Sequence, residues 1–310
     1  MLAASLFLSV LGCAPSTETT DSAGDDTAAD TGDSGGGPAS LDPMVQSSIP
    51  DGYPGETPTR VIFLGDSITA GYGATSAKLA YPRLLKNNDD DTWATFADVD
   101  FPGLYGSDPE IIDVSVPGAT TGSMVGQQLP NVSDELGDTV SGPTAVVVTI
   151  VGNDVQSIML TPDKVDDEIV TITENLSEFY DYFDDTTRFP DGVKIYLANV
   201  YEPSDGVGQA DECFYGLNLA KALPALEAVN AATLAQAQDR GVAWLDMHGH
   251  FLGHGYNGDD DGNAYYQADD PSLWFADDCI HPNDRGHHEI RRLFWYAMAG
   301  QPFPGDAAVE

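Results

Sequence analysis

Residues 145–151 read AVVVTIV, seven positions of which six are β-branched and one carries a hydroxyl. A run this continuous offers water no polar face. It therefore reads as a strand covered on both sides, the mark of a parallel sheet with helices above and below it. Working outward, shorter apolar runs occur at 61–64 (VIFL), 111–114 (IIDV), 193–200 (VKIYLANV) and 242–246 (VAWLD). Helix-length stretches separate most of them, at about 77–87, 163–184 and 216–239, and a fourth at 284–299 closes the pattern. Alternation of this kind predicts a three-layer α/β/α sandwich built on a five-stranded parallel sheet. Ligands of such sheets bind beyond the carboxyl ends of the strands, so chemistry is to be sought immediately after each run.

The rest of the 310-residue chain frames that domain. Hydrophobic residues at 42% and aromatics at 9% supply a sizeable core and exclude a wholly disordered or collagenous chain. Fifty Asp and Glu against twelve Lys and Arg give a net charge of −38, a field that repels phosphate backbones, so nucleic acid is excluded as a partner. A self-repelling surface of this kind folds more easily with counter-ions present, whether in a saline habitat or with bound divalent cations, although plain solubility of a secreted protein would also explain it. Residues 1–12, MLAASLFLSVLG, are apolar but too short to span a bilayer and read as a signal peptide. Val10-Leu11-Gly12-Cys13 resembles the lipobox of bacterial lipoproteins, which makes Cys13 the expected lipidation site and an N-terminal lipid anchor the expected membrane contact. A Ser, Thr, Asp and Gly-rich linker is expected over 13–58, one domain over 59–301 and a tail over 302–310.

After the first run comes Gly65-Asp66-Ser67-Ile68-Thr69-Ala70-Gly71. Ser67 there can sit at a helix N-terminus with its hydroxyl exposed and backbone N–H groups free to hold an oxyanion, although an N-capping serine in a turn would be spelled the same way. The second run leads to Pro117-Gly118 and the third to Gly152-Asn153-Asp154. The N–H groups of Ser67 and Gly118 and the amide of Asn153 would make three neutral oxyanion donors. Near the C-terminus Asp277-Asp278-Cys279-Ile280-His281 places carboxylates four and three residues before a histidine, both within reach if the segment turns helically.

Taken together, these blocks resemble the SGNH, or GDSL-type, hydrolases. Ser67, Gly118, Asn153 and His281 fall in the family's order at the expected strand ends, and the likeness spans about residues 60–299. The resemblance implies a flavodoxin-like five-stranded sheet and ester hydrolysis through an acyl-enzyme, with Ser67, Asp278 and His281 as triad and Ser67, Gly118 and Asn153 as oxyanion hole. The family's Asp-x-x-His block selects Asp278 over Asp277. Val151 stands where the family often has glycine, so the turn there is expected to be built differently. The substrate is expected to be a small-molecule or polysaccharide ester. A carbohydrate O-deacetylase would use the same site, and a noncatalytic, acidic, calcium-binding surface lipoprotein is the competing class.

Other motifs carry weaker expectations. His287 and His288 read as solvated or capping residues of the last helix, and His248, His250 and His254 as satisfied loop histidines, since no cysteine or second carboxylate is spaced around them for zinc. Asn257, Asp259 and Asp261 followed by Gly262 match the first half of a calcium loop, but the twelfth position is Ala268. A structural calcium would have to close through other ligands such as Asp269 or Asp270, and an acidic solvated loop accounts for the same letters. No cofactor is required by the expected chemistry. With Cys13 lipidated, Cys213 and Cys279 remain in an exported chain and are expected to pair. Trp274 and Phe275 read equally as pocket lining or as core.

Overall fold

The computed structural model describes residues 47–160, 162–209, 220 and 222–301. Cys13, Cys213, most of the acidic linker and the tail from residue 302 lie outside the described residues. Five strands, β1 (Arg60–Gly65), β2 (Glu110–Asp113), β3 (Thr144–Thr149), β4 (Val193–Ala198) and β5 (Ala243–Leu245), form one sheet in the order β2-β1-β3-β4-β5. Every pairing is parallel, in the register Ile62↔Ile112, Ile62↔Val146, Val146↔Ile195 and Leu197↔Trp244. The expected sheet is thus the observed one.

Between the strands run α1 (Tyr81–Lys86), α2 (Phe101–Tyr105), α3 (Thr121–Ser123), a π turn over Met124–Gln128, α4 (Leu129–Leu136), α5 (Gly152–Leu160) and α6 (Val165–Phe183). They are followed by α7 (Leu223–Arg240), α8 (Met247–Phe251) and α9 (Asp284–Ala299). Successive residues of the continuous runs serve opposite layers, as strand pleating dictates. Ile62, Leu64, Val146, Val148, Ile195 and Leu197 pack under α4, α5, α6 and α7, with Leu176, Phe179 and Val229. Val61, Phe63, Val147, Tyr196 and Leu245 pack on the other face under α1, α8 and α9, with Tyr81, Phe251 and Phe294. Each such side chain taken wholly from water stabilises the fold by about 1.5–3 kcal/mol, which is why the apolar runs are strands buried on both faces.

Two boundaries differ from the sequence reading. Residues 47–58, assigned by composition to the linker, pack on the sheet. Ser48 bridges Trp244 in antiparallel fashion and covers the edge of the three-residue β5. Because β5 is so short, it leaves Ile195 of β4 with open backbone groups, and the Tyr53 hydroxyl fills the gap, donating to the Ile195 carbonyl and accepting from its N–H. The third strand stops at Thr149 rather than 151, because Val151 turns into the left-handed region.

His287 and His288 are a correction. Both are buried, not solvated. The apolar moment of α9 faces the sheet, so its histidines lie inside: His288 stacks on Trp93 with ring centroids 3.9 Å apart. Burial pushes its pKa well below the ordinary histidine value, and Arg291, whose Nη2 lies 2.7 Å from His288 Nδ1, acts in the same direction. Glu289 on the same helix is fully buried. Burial alone would raise its pKa, but His250, Arg292 and Arg285 hold it well below the carboxylate range. Among the described residues no helix is long and apolar enough to cross a membrane.

Candidate active site

The first half of the site grows directly from β1. At the strand's end Gly65 has φ of 141°, and a Cβ there would stand 2.2 Å from the Thr149 carbonyl oxygen, so only glycine lets β1 turn away while still beside β3. The fully buried Gln128, in the π turn, grips this residue by both backbone groups: it accepts from Gly65 N–H (2.9 Å) and donates to the Gly65 carbonyl (2.8 Å). Asp66 is buried and accepts from Ile68 N–H. Burial pushes its pKa up to about 7, opposed by that hydrogen bond and assisted by the charge of Asp154. Below the turn, Thr69 Oγ1 joins Thr149 Oγ1 (2.6 Å) and the Tyr81 hydroxyl (2.8 Å) in a buried knot. Residues 67–73 form successive turns rather than the helix start that the sequence suggested, with Tyr72 N–H closing on the Ser67 carbonyl at 2.9 Å.

The second half is a loop. Residues 277–281 turn without becoming helical, so the expected reach along a helix is replaced by a tighter device. Asp278 Oδ1 accepts from the N–H groups of both Ile280 (3.0 Å) and His281 (2.9 Å), while Oδ2 takes His281 Nδ1 at 2.6 Å. His281 Nε2 lies 2.8 Å from Ser67 Oγ. Partial burial would raise the Asp278 pKa, but the hydrogen bonds from His281 and Ile280 outweigh it and hold the carboxyl below its ordinary value. The Tyr201 hydroxyl donates to the Ile280 carbonyl and the Tyr256 hydroxyl to that of Ala276, both at 2.7 Å. Cys279 is disulfide-bonded, and Cys213 lies outside the described residues. Trp274 and Phe275 are core, not lining.

The structure brings Gly118 and Asn153 together through their neighbours. Asn153 Nδ2 donates to the Ala119 carbonyl (2.9 Å), and the buried Asp154 accepts from Thr121 N–H (3.0 Å) and Oγ1 (2.8 Å). These bonds lock the segment after β2 to the start of α5. Gly118 has φ of 80°, and a Cβ there would meet nothing within 4 Å, so the surface over it is open. Val151 adopts φ of 83°, the region glycine favours, so the side chain is accommodated by strain of order 1–3 kcal/mol and not by a different turn.

The remaining motifs lie apart. Asn257 Nδ2 donates to the carbonyls of Ser204 and Gln209, and Asp260 turns back on Gly262 N–H. The loop is organised by Asp205, whose buried carboxylate accepts from the N–H groups of Gly253, Gly255 and Asn257. Among the described residues no three or more His, Cys, Asp or Glu gather closely enough to hold a metal. His254 stacks on Trp274 at 3.5 Å, and its pKa is lowered to about 4 by burial. Sequence reasoning missed Gln128, Tyr201 and Tyr256. Asp154 carried a signal, its place beside Asn153; the other three carried none, since each acts on a segment far away in the chain.

A three-layer α/β/α domain with a serine, a histidine and a carboxylate hydrogen-bonded in series at the carboxyl ends of its strands defines a class of hydrolases. The chain belongs to the GDSL-like lipase/acylhydrolase family, whose profile matches residues 63–289. Among solved structures it is similar to phospholipase A1 from Streptomyces albidoflavus NA297, at 19% identity over 79% of this chain and 99% of that one, with a TM-score of 0.51. It is also similar to an extracellular lipase from Streptomyces rimosus (19% identity, 77% and 99% covered, TM-score 0.48). An acetyl-xylooligosaccharide esterase from Geobacillus is a more distant likeness (15% identity, 77% and 93% covered, TM-score 0.46). No curated protein matches the sequence.

Proposed function

We propose that the chain is a serine-dependent ester hydrolase working through an acyl-enzyme, with a small-molecule or polysaccharide ester as substrate. The observation that carries this reading is the hydrogen-bonded series Ser67 Oγ, His281 Nε2, His281 Nδ1, Asp278 Oδ2, with separations of 2.8 and 2.6 Å. Asp278 fixes the tautomer that leaves the Nε2 lone pair toward Ser67. As Oγ attacks the ester carbonyl, its proton passes to Nε2, and the imidazolium so formed is stabilised by the carboxylate. The negative oxygen is held by the N–H groups of Ser67 and Gly118 and the Asn153 amide, whose other task is the bond to Ala119. Nε2 then gives its proton to the departing alkoxide. Water, deprotonated by the same nitrogen, attacks the acyl carbonyl; the acyl–Oγ bond breaks, Nε2 returns the proton to Ser67 Oγ, and the acid is released.

The exported reading belongs with this proposal: a signal peptide, a lipid anchor at Cys13 as the membrane contact and a Cys213–Cys279 disulfide pinning the histidine loop. Titration of the denatured, unreduced protein tests the bridge, and two free thiols beyond Cys13 would dispose of it. The hydrolase reading is tested by turnover of p-nitrophenyl acetate and by stoichiometric labelling with an alkyl phosphonate. Ser67→Ala should abolish both while leaving the circular dichroism unchanged. A Ser67→Ala protein keeping a tenth of wild-type turnover would refute the mechanism.

A further inference from the structure

Tyr72 is 52% exposed and its ring centroid lies 5.4 Å from that of His281, tilted by 45°. A single exposed aromatic is ordinary. This one is held in place at both ends of its peptide. Its N–H donates to the carbonyl of Ser67 itself (2.9 Å), and its carbonyl accepts from Nε2 of the buried His287 (2.8 Å). His287 is kept neutral, its pKa lowered to about 4 by burial, and its Nδ1 accepts from Tyr81 N–H at 3.4 Å, so Nε2 carries the proton. Further along, Thr75 donates through N–H and hydroxyl to Asp284 at the start of α9. Gly73 between them is pressed against the loop that bears His281, where a Cβ would stand 2.2 Å from the Pro282 carbonyl oxygen. The segment therefore cannot swing away, and an apolar ring face stays in water beside the imidazole.

In the reaction proposed above, the oxyanion points toward Gly118 and Asn153, and the departing oxygen must lie within reach of His281 Nε2 to receive its proton. A ring packed beside that imidazole borders the alcohol half of the ester, not the acyl half. We propose that Tyr72 selects the alcohol: it is a fixed wall on which a leaving group with a flat apolar ring face packs, whether an aromatic ring or the C–H face of a sugar. This rests on the ester-hydrolase reading. His287 is the positioning residue that holds the wall, which gives a task to a buried histidine that the triad does not use. The strongly acidic surface adds that the alcohol should be neutral or cationic.

The experiment is kcat/KM for two ester panels with wild type, Tyr72→Phe and Tyr72→Ala. The first panel keeps the acetyl group and varies the alcohol: methyl acetate, phenyl acetate and an O-acetylated methyl glucoside. The second keeps methanol and lengthens the acyl chain from acetate to butyrate and hexanoate. Tyr72→Ala should lower the preference for whichever ring-bearing acetate the wild type favours over methyl acetate by about tenfold, and leave the acyl preference within about twofold. Tyr72→Phe should behave as wild type, since the ring and not the hydroxyl makes the wall. The two ring-bearing arms separate an aromatic alcohol from a sugar. An unchanged alcohol preference in an active Tyr72→Ala enzyme, or a shift in the acyl panel instead, overturns the assignment while leaving the hydrolase reading intact. A wild-type protein with no turnover on either panel and no phosphonate labelling overturns both.

Discussion

The turn that carries Ser67 and the loop that carries His281 meet at a hydrogen bond of 2.8 Å, yet they are built on opposite principles. The serine turn is an extension of the sheet. Gly65, Thr69 and Gln128 are buried or pressed on backbone, and they tie the ends of β1 and β3 together. The histidine loop has little regular structure, and Asp277, Asp278 and Ile280 are exposed. It is fastened by separate staples: two tyrosine hydroxyls, the Asn283 amide on the carbonyls of Leu273 and Phe275, and the Cys279 disulfide. Damage to the turn should therefore appear first as lost stability, and damage to the loop as lost turnover in a folded protein.

The sharpest test lies in the loop. Asp278→Asn should reduce kcat by up to about 10⁴, because an amide imposes the wrong tautomer on His281, with the melting temperature nearly unchanged. Asp277→Asn, on an exposed carboxylate that the histidine does not touch, should stay within about twofold. Equal defects in the two mutants, assayed at saturating substrate, would break the assignment. The turn should answer differently. Gly65→Ala combines a disfavoured φ with a collision on Thr149 and should destabilise by about 3 kcal/mol or more, read by urea unfolding. A stable but inactive Gly65→Ala protein would show that the turn is as detachable as the loop.

Single staples should have smaller effects. Tyr201→Phe removes one hydrogen bond to the Ile280 carbonyl but keeps the ring stacked on Phe251 at 4.8 Å. Its stability should fall by only about 1 kcal/mol, while kcat falls about tenfold as His281 loses its fixed position. A rise in KM alone, with kcat preserved, would contradict a positioning role. Asp66 should change the pH dependence of stability instead of turnover. Its folded pKa, about 7, lies above the ordinary aspartate value, so the folded state holds the proton more tightly than the unfolded one. Its contribution to stability is accordingly present below about pH 4 and is lost as pH rises toward 7. Asp66→Asn should flatten the melting-temperature profile between those limits and raise it at neutral pH. Parallel profiles for the two proteins would mean that Asp66 ionises without cost.

The two halves also differed in how far they could be read. Ser67 stood out as a candidate because it follows the continuous apolar run of β1, but an N-capping serine read as well there until the family likeness was added. Gly118, Asn153 and His281 were legible from the family likeness. Asp278 over Asp277 followed from the same block, although the structure achieves it with a turn closed by the carboxylate itself and not with a helix. His287 was misread because a histidine looks polar in a list of letters, whereas its place on α9 faces the sheet. The start of the domain was misread because Ser48 and Tyr53 sit in a polar, Pro and Gly-rich stretch, and their value lies in the strand edge they cover.

By itself the sequence determined the sheet, since runs such as 145–151 have no stable alternative to burial on both faces, and with the sheet it determined where the chemistry must sit. Only the tertiary structure decided which distant side chains hold that chemistry in place. Gln128 reaches Gly65 across 63 positions, Tyr201 reaches Ile280 across 79, and His287 reaches Tyr72 across 215. Periodicity reports which face of an element turns inward. It carries no record of what that face will meet, because the meeting is fixed by how separate elements pack and not by the spacing of residues along any one of them.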